Sequence, residues 1–208
     1  MGRWFVFCAG VVAFTVVVAS PSPAYEAGSL GSLTQNDYEI AAAVLKDVYP
    51  VGAKSPVMIA TQVATFACNP PIDNGFSMGG CSGMRAASVE PEQLAVTLRA
   101  AMPAVTSELA ENLVREGQLP ATLTRTLPIR INQFLYGKGA PQSHPETPEM
   151  AFYMSRPAIS AAGSKALVYV GIVSWKDQAQ SQGRYFYLER SAHGWGVKDQ
   201  VVIWRMGG

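Results

Sequence analysis

Cys81 lies in a pentapeptide that resembles a nucleophile motif. Gly79-Gly80-Cys81-Ser82-Gly83 fits the pattern of a glycine, any residue, a nucleophile, any residue and a glycine. In a nucleophile elbow, a tight turn between a strand and a helix projects the nucleophile toward a base and an oxyanion hole. The preceding residues, 73–78, are not typical of a strand. The motif supplies one hypothesis, a secreted hydrolase that uses Cys81 or a carboxylate.

A disulfide with Cys68 would give Cys81 a structural role instead of a catalytic one. These two cysteines would remain after export, and an even pair in an exported chain usually forms a disulfide. The segment between them is rich in proline, glycine and asparagine, and closing such a loop contributes about 3 kcal/mol on chain-entropy grounds. Oxidation would also remove the thiolate that nucleophilic chemistry needs. We predict a Cys68–Cys81 disulfide; an inhibitor that presents this loop, with Phe76 and Met78 as binding residues at its tip, is another hypothesis.

The two histidines of the chain do not complete a recognisable catalytic or metal-binding motif. His144 lies near Glu146 and Glu149 in a proline-rich loop, whereas metal sites need three or four rigidly held donors. His193 precedes Gly194 in a turn, where a histidine is usually exposed to solvent. The sequence predicts no metal ligand, no cofactor and no catalytic residue, which favours a non-enzymatic function.

Tyr185 and Tyr187 alternate with Phe186 and Leu188. In a strand, this alternation would place apolar side chains on one face and two phenols on the other. If no helix covered the phenol face, Tyr185 and Tyr187 would form a binding surface. The alternative is a sheet covered by helices, with the tyrosines packed at its edge and their hydroxyls near solvent.

The element that must position these residues is a β-rich block from Ala166 to Trp204. Its three runs are 166–175, 184–190 and 195–204. The first run has no charge and is rich in β-branched and aromatic residues, as in a strand buried on both faces. Ser191–Gly194 joins the last two runs and offers a glycine for a positive φ, which a tight hairpin needs. The pattern predicts an antiparallel meander, preceded by a strand within 150–160.

Apolar residues at helical spacing predict three helices, near 36–48, 90–102 and 104–116. The first would begin at Asn36, with Glu39 three residues later as in a capping box. Pro103 separates the other two, which would form a helical hairpin on the sheet. Pro56–Phe66 predicts a further strand, and the pattern of Leu119–Tyr136 favours a strand over a helix.

The N-terminal residues resemble a secretory signal peptide. Arg3 precedes an apolar run, Trp4–Ala19, which is followed by small and turn residues. This run is shorter than the roughly 20 residues that span a bilayer, so we expect cleavage after Ala24 and not an uncleaved anchor. The mature chain, 25–208, is predicted to be one α+β domain in the bacterial periplasm or outside the cell: an antiparallel sheet covered by about three helices.

The charge balance restricts the partners. The chain has 16 basic and 15 acidic residues, and loss of Arg3 on cleavage leaves the mature chain close to neutral. This balance argues against nucleic acid or an anionic surface, because both need a basic footprint. The expected partner is a small molecule or an envelope protein, bound through the sheet or the loop 137–149. Membrane contact is expected only through the signal segment before cleavage.

Several segments resemble a loose group of uncharacterised exported bacterial proteins. In that group, a strand of the type S-R-x-x-x-S precedes A-L-V-Y-V and a final hairpin of the type G-x-W-x-V. The matching segments here are Ser155–Ser160, Gly163–Gly171 and Gly194–Val197, with Tyr38–Ile40 and Val44–Leu45 in the opening helix. The resemblance departs at Trp195, which directly follows Gly194, and in the long connection 175–183. It implies the β-rich fold and carries no activity.

Overall fold

The computed structural model describes residues 31–49, 56–60, 91–117, 119, 121–136, 148, 150–174 and 176–205. The helices in this part of the chain are α1 (Gln35–Val48), α2 (Pro91–Ala101) and α3 (Ser107–Gly117). The strands are β1 (Gly31–Ser32), β2 (Val57–Ala60), β3 (Ala121–Thr122), β4 (Gln133–Tyr136), β5 (Met150–Met154), β6 (Ala158–Ile159), β7 (Lys165–Ser174), β8 (Gln182–Ser191) and β9 (Gly194–Arg205). The predicted α+β class and its three helices are confirmed.

Seven of the described strands form one mixed sheet. Its order is β4-β2-β5-β7-β8-β9, with β6 paired to β7. The strands β5, β7, β8 and β9 pair antiparallel, which confirms the meander. The predicted antiparallel sheet needs one correction, because β2 runs parallel to both β4 and β5. Parallel neighbours require a crossover connection, and α2 and α3 lie in the connection between β2 and β4.

Helices pack on both faces of the sheet. On one face, α1 forms an apolar cluster with residues such as Val168 and Phe186. On the other face, α2 and α3 form a second cluster with Leu167 and Tyr187. Because alternate residues of β7 enter opposite clusters, this strand is buried on both faces, as its uncharged run predicts.

Two β-bulges in β9 decide which of its side chains face α1. Lys198 and Ile203 each have no opposite residue on β8. An extra residue inverts the alternation of side chains beyond it. Trp195 and Val197 therefore pack with the α1 cluster, whereas Val201 packs with the α2–α3 cluster. Without the bulge at Lys198, Val201 would share a face with Val197, because it lies four residues farther along the strand.

The segment 119–136 contains two short strands, β3 and β4, with irregular backbone between them. The alternation of Leu127, Ile129 and Ile131 predicted a strand, and that prediction is wrong over these residues. The side-chain amide of Gln133 accepts from the Leu127 N–H at 2.9 Å and donates to the carbonyls of Leu127 at 2.8 Å and Ile129 at 3.3 Å. A side chain thus replaces the ladder partners that a strand would need.

Helix α1 begins before the predicted Asn36. Thr34 is its N-cap: its hydroxyl accepts from the Asp37 N–H at 3.3 Å, and the Asp37 carboxylate accepts from the Thr34 N–H at 2.7 Å. The capping box is therefore present, but its partner is Asp37 and not Glu39. The Glu39 carboxylate instead accepts from the side chain of Gln35 at 3.0 Å.

Helix α3 begins later than predicted, at Ser107 and not at residue 104. The hydroxyl of Thr106 accepts from the Leu109 N–H at 3.2 Å, as an N-cap side chain does. The helix ends at Gly117, one residue beyond the predicted end at residue 116.

Replacement of Thr34 tests the corrected cap. Thr34→Ala should lower the free energy of unfolding by about 1 kcal/mol, because the first turn of α1 loses a partner for one of its free N–H groups. Asn36→Ala is the matched control and should change the stability by less than about 0.5 kcal/mol. Urea unfolding followed by circular dichroism measures both stabilities. A larger loss of stability in Asn36→Ala than in Thr34→Ala would support a helix that begins at Asn36.

Gly171 provides a second test, of the packing between β5 and β7. It lies directly opposite Tyr153, and a Cβ on Gly171 would overlap the Tyr153 ring. Gly171→Ala should therefore lower the free energy of unfolding by about 1–3 kcal/mol. Gly196→Ala is the control, since a Cβ there meets no atom within 4 Å. Equal urea midpoints for the two variants would show that the ring does not restrict position 171.

Candidate functional site

Several predicted site residues lie outside the described part of the chain. Cys68 and Cys81 are among them, as are Phe76 and Met78. The disulfide, the loop tip and the Gly79–Gly83 motif therefore stay predictions. The same holds for the signal peptide, for His144 and for most of the loop 137–149.

Tyr185 and Tyr187 are buried. Their exposed fractions are 5% and 1%, and both pack in the cluster of α2 and α3. The ring of Tyr185 also contacts that of Tyr169, with centroids 5.5 Å apart and planes tilted by 58°. Of the two arrangements considered for the phenol face, the structure has the one covered by helices.

The Tyr187 hydroxyl donates a hydrogen bond to Glu189 Oε1 at 2.8 Å. Burial, this hydrogen bond and the negative charge of Glu189 together raise the pKa of Tyr187 to about 12. The phenol is therefore a neutral donor at physiological pH. This arrangement stabilises the edge of the α2–α3 cluster and leaves Tyr187 unsuited to act as a base.

His193 is exposed in the turn between β8 and β9, as its position beside Gly194 predicts. Gly194 has φ 102°, which confirms the positive φ expected there. In the ranges that the structure describes, no three His, Cys, Asp or Glu side chains are grouped as metal ligands. The same ranges contain no helix that is long and apolar enough to cross a membrane.

A polar surface that the sequence did not indicate lies on the α1-facing side of β8 and β9. Arg184 is opposite Val202, and its diagonal neighbours on β9 are Gln200, opposite Phe186, and Arg205, opposite Gln182. Opposite residues of an antiparallel pair share a face, so these side chains lie on the face of the α1 cluster. We call Arg184, Gln200 and Arg205 the Arg184 surface.

Arg184 is half-buried and only partly satisfied. Its Nη1 donates to Gln200 Oε1 at 2.6 Å. Its Nε–H is buried and has no hydrogen-bond partner in the part of the chain that the structure describes. Buried N–H groups in folded proteins are nearly always paired, so this one requires an explanation.

The charge of Arg184 is also unbalanced. Burial and then the positive charge of Arg205 lower the pKa of Arg184, while the charge of Asp47 in the last turn of α1 acts in the opposite direction. Arginine still keeps its charge at physiological pH. Among the described residues, no carboxylate oxygen lies within 4.0 Å of a side-chain nitrogen of Arg184 or Arg205.

Arg156 gives a comparison within the same chain. Its side chain is 18% exposed, and its Nε lies 3.5 Å from Glu116 Oε2. One partly buried arginine therefore has a carboxylate from α3, whereas Arg184 has an amide oxygen and a free N–H. The difference marks Arg184 as the less completely compensated of the two.

A second buried N–H without a partner lies on the same face, at the other end of β9. The Trp195 indole packs against the α1 cluster, and its Nε1 makes no hydrogen bond to any described residue. The guanidinium of Arg190 lies 5.8 Å from the centroid of the Trp195 ring, within the range of a cation–π contact. This contact orients the ring but does not satisfy its N–H.

The raised pKa of Tyr187 predicts a pH dependence of stability. In the unfolded chain the phenol has a pKa near 10.0, below its value of about 12 in the folded protein. Between these values the unfolded state loses its proton first, so the free energy of unfolding should fall as the pH rises from 10 to 12. Urea unfolding at several pH values should show a weaker fall in Tyr187→Phe; equal slopes would exclude Tyr187 as the cause.

Comparison with protein-family models, with curated proteins and with solved structures found no match for this chain. The resemblance to exported bacterial proteins stays an expectation from the sequence. Function must therefore be argued from the residues of the site itself.

Proposed function

We propose that this chain is a non-catalytic exported protein of the bacterial envelope that binds a small molecule or an envelope protein, and that binding involves the Arg184 surface. The observation that carries the proposal is the half-buried guanidinium of Arg184, whose Nε–H has no partner among the described residues. The charge of this guanidinium also lacks a carboxylate partner among the described residues, and a ligand that pairs with it would provide one.

Partial burial removes water from the charge of Arg184. Moving a charged group out of water is unfavourable unless ion pairs or hydrogen bonds replace the lost hydration. For Arg156 the carboxylate of Glu116 provides this compensation. For Arg184 it comes from one neutral amide, while the positive charge of Arg205 opposes it. Pairing of a ligand group with Arg184 would therefore provide a stabilising interaction that the ligand-free protein lacks.

The position of the surface also supports binding. Strand β9 is at one end of the strand order, so β8 is separated from that edge by a single strand. Gln200 and Arg205 are exposed, which leaves the surface open on the side of β9 in the described chain. A ligand can approach Arg184 there without displacing α1 from the apolar cluster.

Native mass spectrometry tests the proposal. The full chain is expressed in a bacterium and the periplasmic fraction is released by osmotic shock. We expect the mass of residues 25–208 plus a noncovalently bound molecule or protein. The control is the same sample unfolded in urea and refolded after dialysis, which should show the polypeptide alone. The bare polypeptide in both samples, or an uncleaved chain, would contradict the proposal.

Thiol titration of the same periplasmic sample, denatured without reductant, separates the alternatives. We expect no free thiol, because Cys68 and Cys81 are predicted to form a disulfide after export. Two free thiols would exclude an inhibitor loop closed by a Cys68–Cys81 disulfide. They would also make a hydrolase with Cys81 as nucleophile the hypothesis to test by mutation.

A further inference from the structure

We propose that the Arg184 surface binds an oxyanion, namely a carboxylate or phosphate group of the ligand, between the guanidinium groups of Arg184 and Arg205. This inference rests on the proposed function and specifies its ligand chemistry. It goes further because it names the two guanidinium groups that make the contact.

The register of β8 and β9 places the two arginines as diagonal neighbours. Arg205 is opposite Gln182, two residues from Arg184 on the same face. The bulge at Ile203 is necessary for this placement, since it shifts by one the residue of β9 that reaches that face. Side chains as long as arginine reach diagonal neighbours across a strand pair, so one anion can contact both.

Hydrogen bonding indicates which side of Arg184 is available. Gln200, the other diagonal neighbour on β9, already accepts from Nη1 at 2.6 Å. The guanidinium carries five N–H donors in a planar arrangement that matches the two oxygens of a carboxylate or phosphate. Hydrogen bonds between arginine and such an anion are shorter and stronger than neutral ones. An oxyanion therefore fits the donors that remain better than a neutral ligand does.

Asp47 is the internal competitor. It is exposed in the last turn of α1, and its charge favours the protonated form of Arg184 without an ion pair within 4.0 Å. The surface thus has two cations and one more distant carboxylate, and Lys46 precedes Asp47 in the sequence of α1. If a ligand oxyanion is the main counter-charge, removal of the Asp47 charge should strengthen binding. If Asp47 is the main counter-charge, its removal should destabilise the fold instead.

The test is a nuclear magnetic resonance titration of the mature chain with inorganic phosphate, and separately with acetate, at ionic strength held constant with chloride. The arginine Nε–H region of the ¹H–¹⁵N spectrum reports the buried group of Arg184 directly. We expect its signal to shift and to saturate. Arg205→Gln should weaken the apparent affinity by about tenfold, the loss expected for one charge-assisted hydrogen bond.

Lys198→Gln is the matched control, because it removes one positive charge from an exposed position of the same strand. It should leave the affinity unchanged, and Asp47→Asn should increase it. The proposal is overturned if phosphate and acetate give no saturating shift, or if Arg205→Gln and Lys198→Gln weaken binding equally. A loss of stability in Asp47→Asn without a gain in affinity would also overturn it. Arg205 is exposed, so its replacement should leave the fold intact.

A sedimentation experiment with lipid vesicles identifies the source of the oxyanion. Sedimentation with phosphatidylglycerol vesicles, but not with phosphatidylcholine vesicles, would assign the site to a lipid headgroup. A response to free phosphate or acetate alone would assign it to a soluble ligand, which the near-neutral charge of the mature chain favours. A bound species in the periplasmic sample together with no phosphate or acetate response would reject the oxyanion and keep the proposed function.

Discussion

Burial of β7 on both faces is the constraint on which the rest of the structure depends. One set of its alternate side chains packs with α1 and the other with α2 and α3, so the two helical layers are held to one strand. A charged residue within this run would have to be desolvated on either face, which explains why the run from Ala166 to Ser174 contains none. Strand β8 then extends the sheet, and β9 ends it, which is where a partly buried polar side chain can remain close to water.

The parts of the fold that could be predicted are those set by local patterns. The meander follows from β-branched runs separated by turn residues, and Gly194 has the positive φ that its turn requires. The parallel pairing of β2 with β4 and β5 could not be predicted, because it depends on a crossover and not on any local pattern. The irregular backbone near Leu127 depends on the side chain of Gln133, whose contacts with it no periodicity reveals.

The Arg184 surface could not be predicted from the sequence, for two physical reasons. The bulges at Lys198 and Ile203 break the two-residue period, so counting along β9 from Trp195 places Gln200 on the wrong face and puts Gln200 and Arg205 on opposite faces. Partial burial of an arginine without a carboxylate is also a property of three-dimensional packing, and Arg156 and Arg184 look alike in the printed sequence. The tyrosines, by contrast, were visible in the alternation, but only the position of α2 and α3 decides that they belong to the core.

The location of Arg184 reconciles its unpaired N–H with a stable fold. In the centre of the sheet, an uncompensated guanidinium would require a large desolvation free energy, whereas near the edge it keeps part of its hydration. Partial burial also lowers the local dielectric constant, which strengthens the attraction to an incoming anion compared with that of a fully exposed arginine. Exposed Arg205 adds positive charge at the solvent side of the surface, and half-buried Arg184 provides hydrogen-bond donors in fixed directions. Together the two arginines can select an oxyanion by its geometry as well as by its charge.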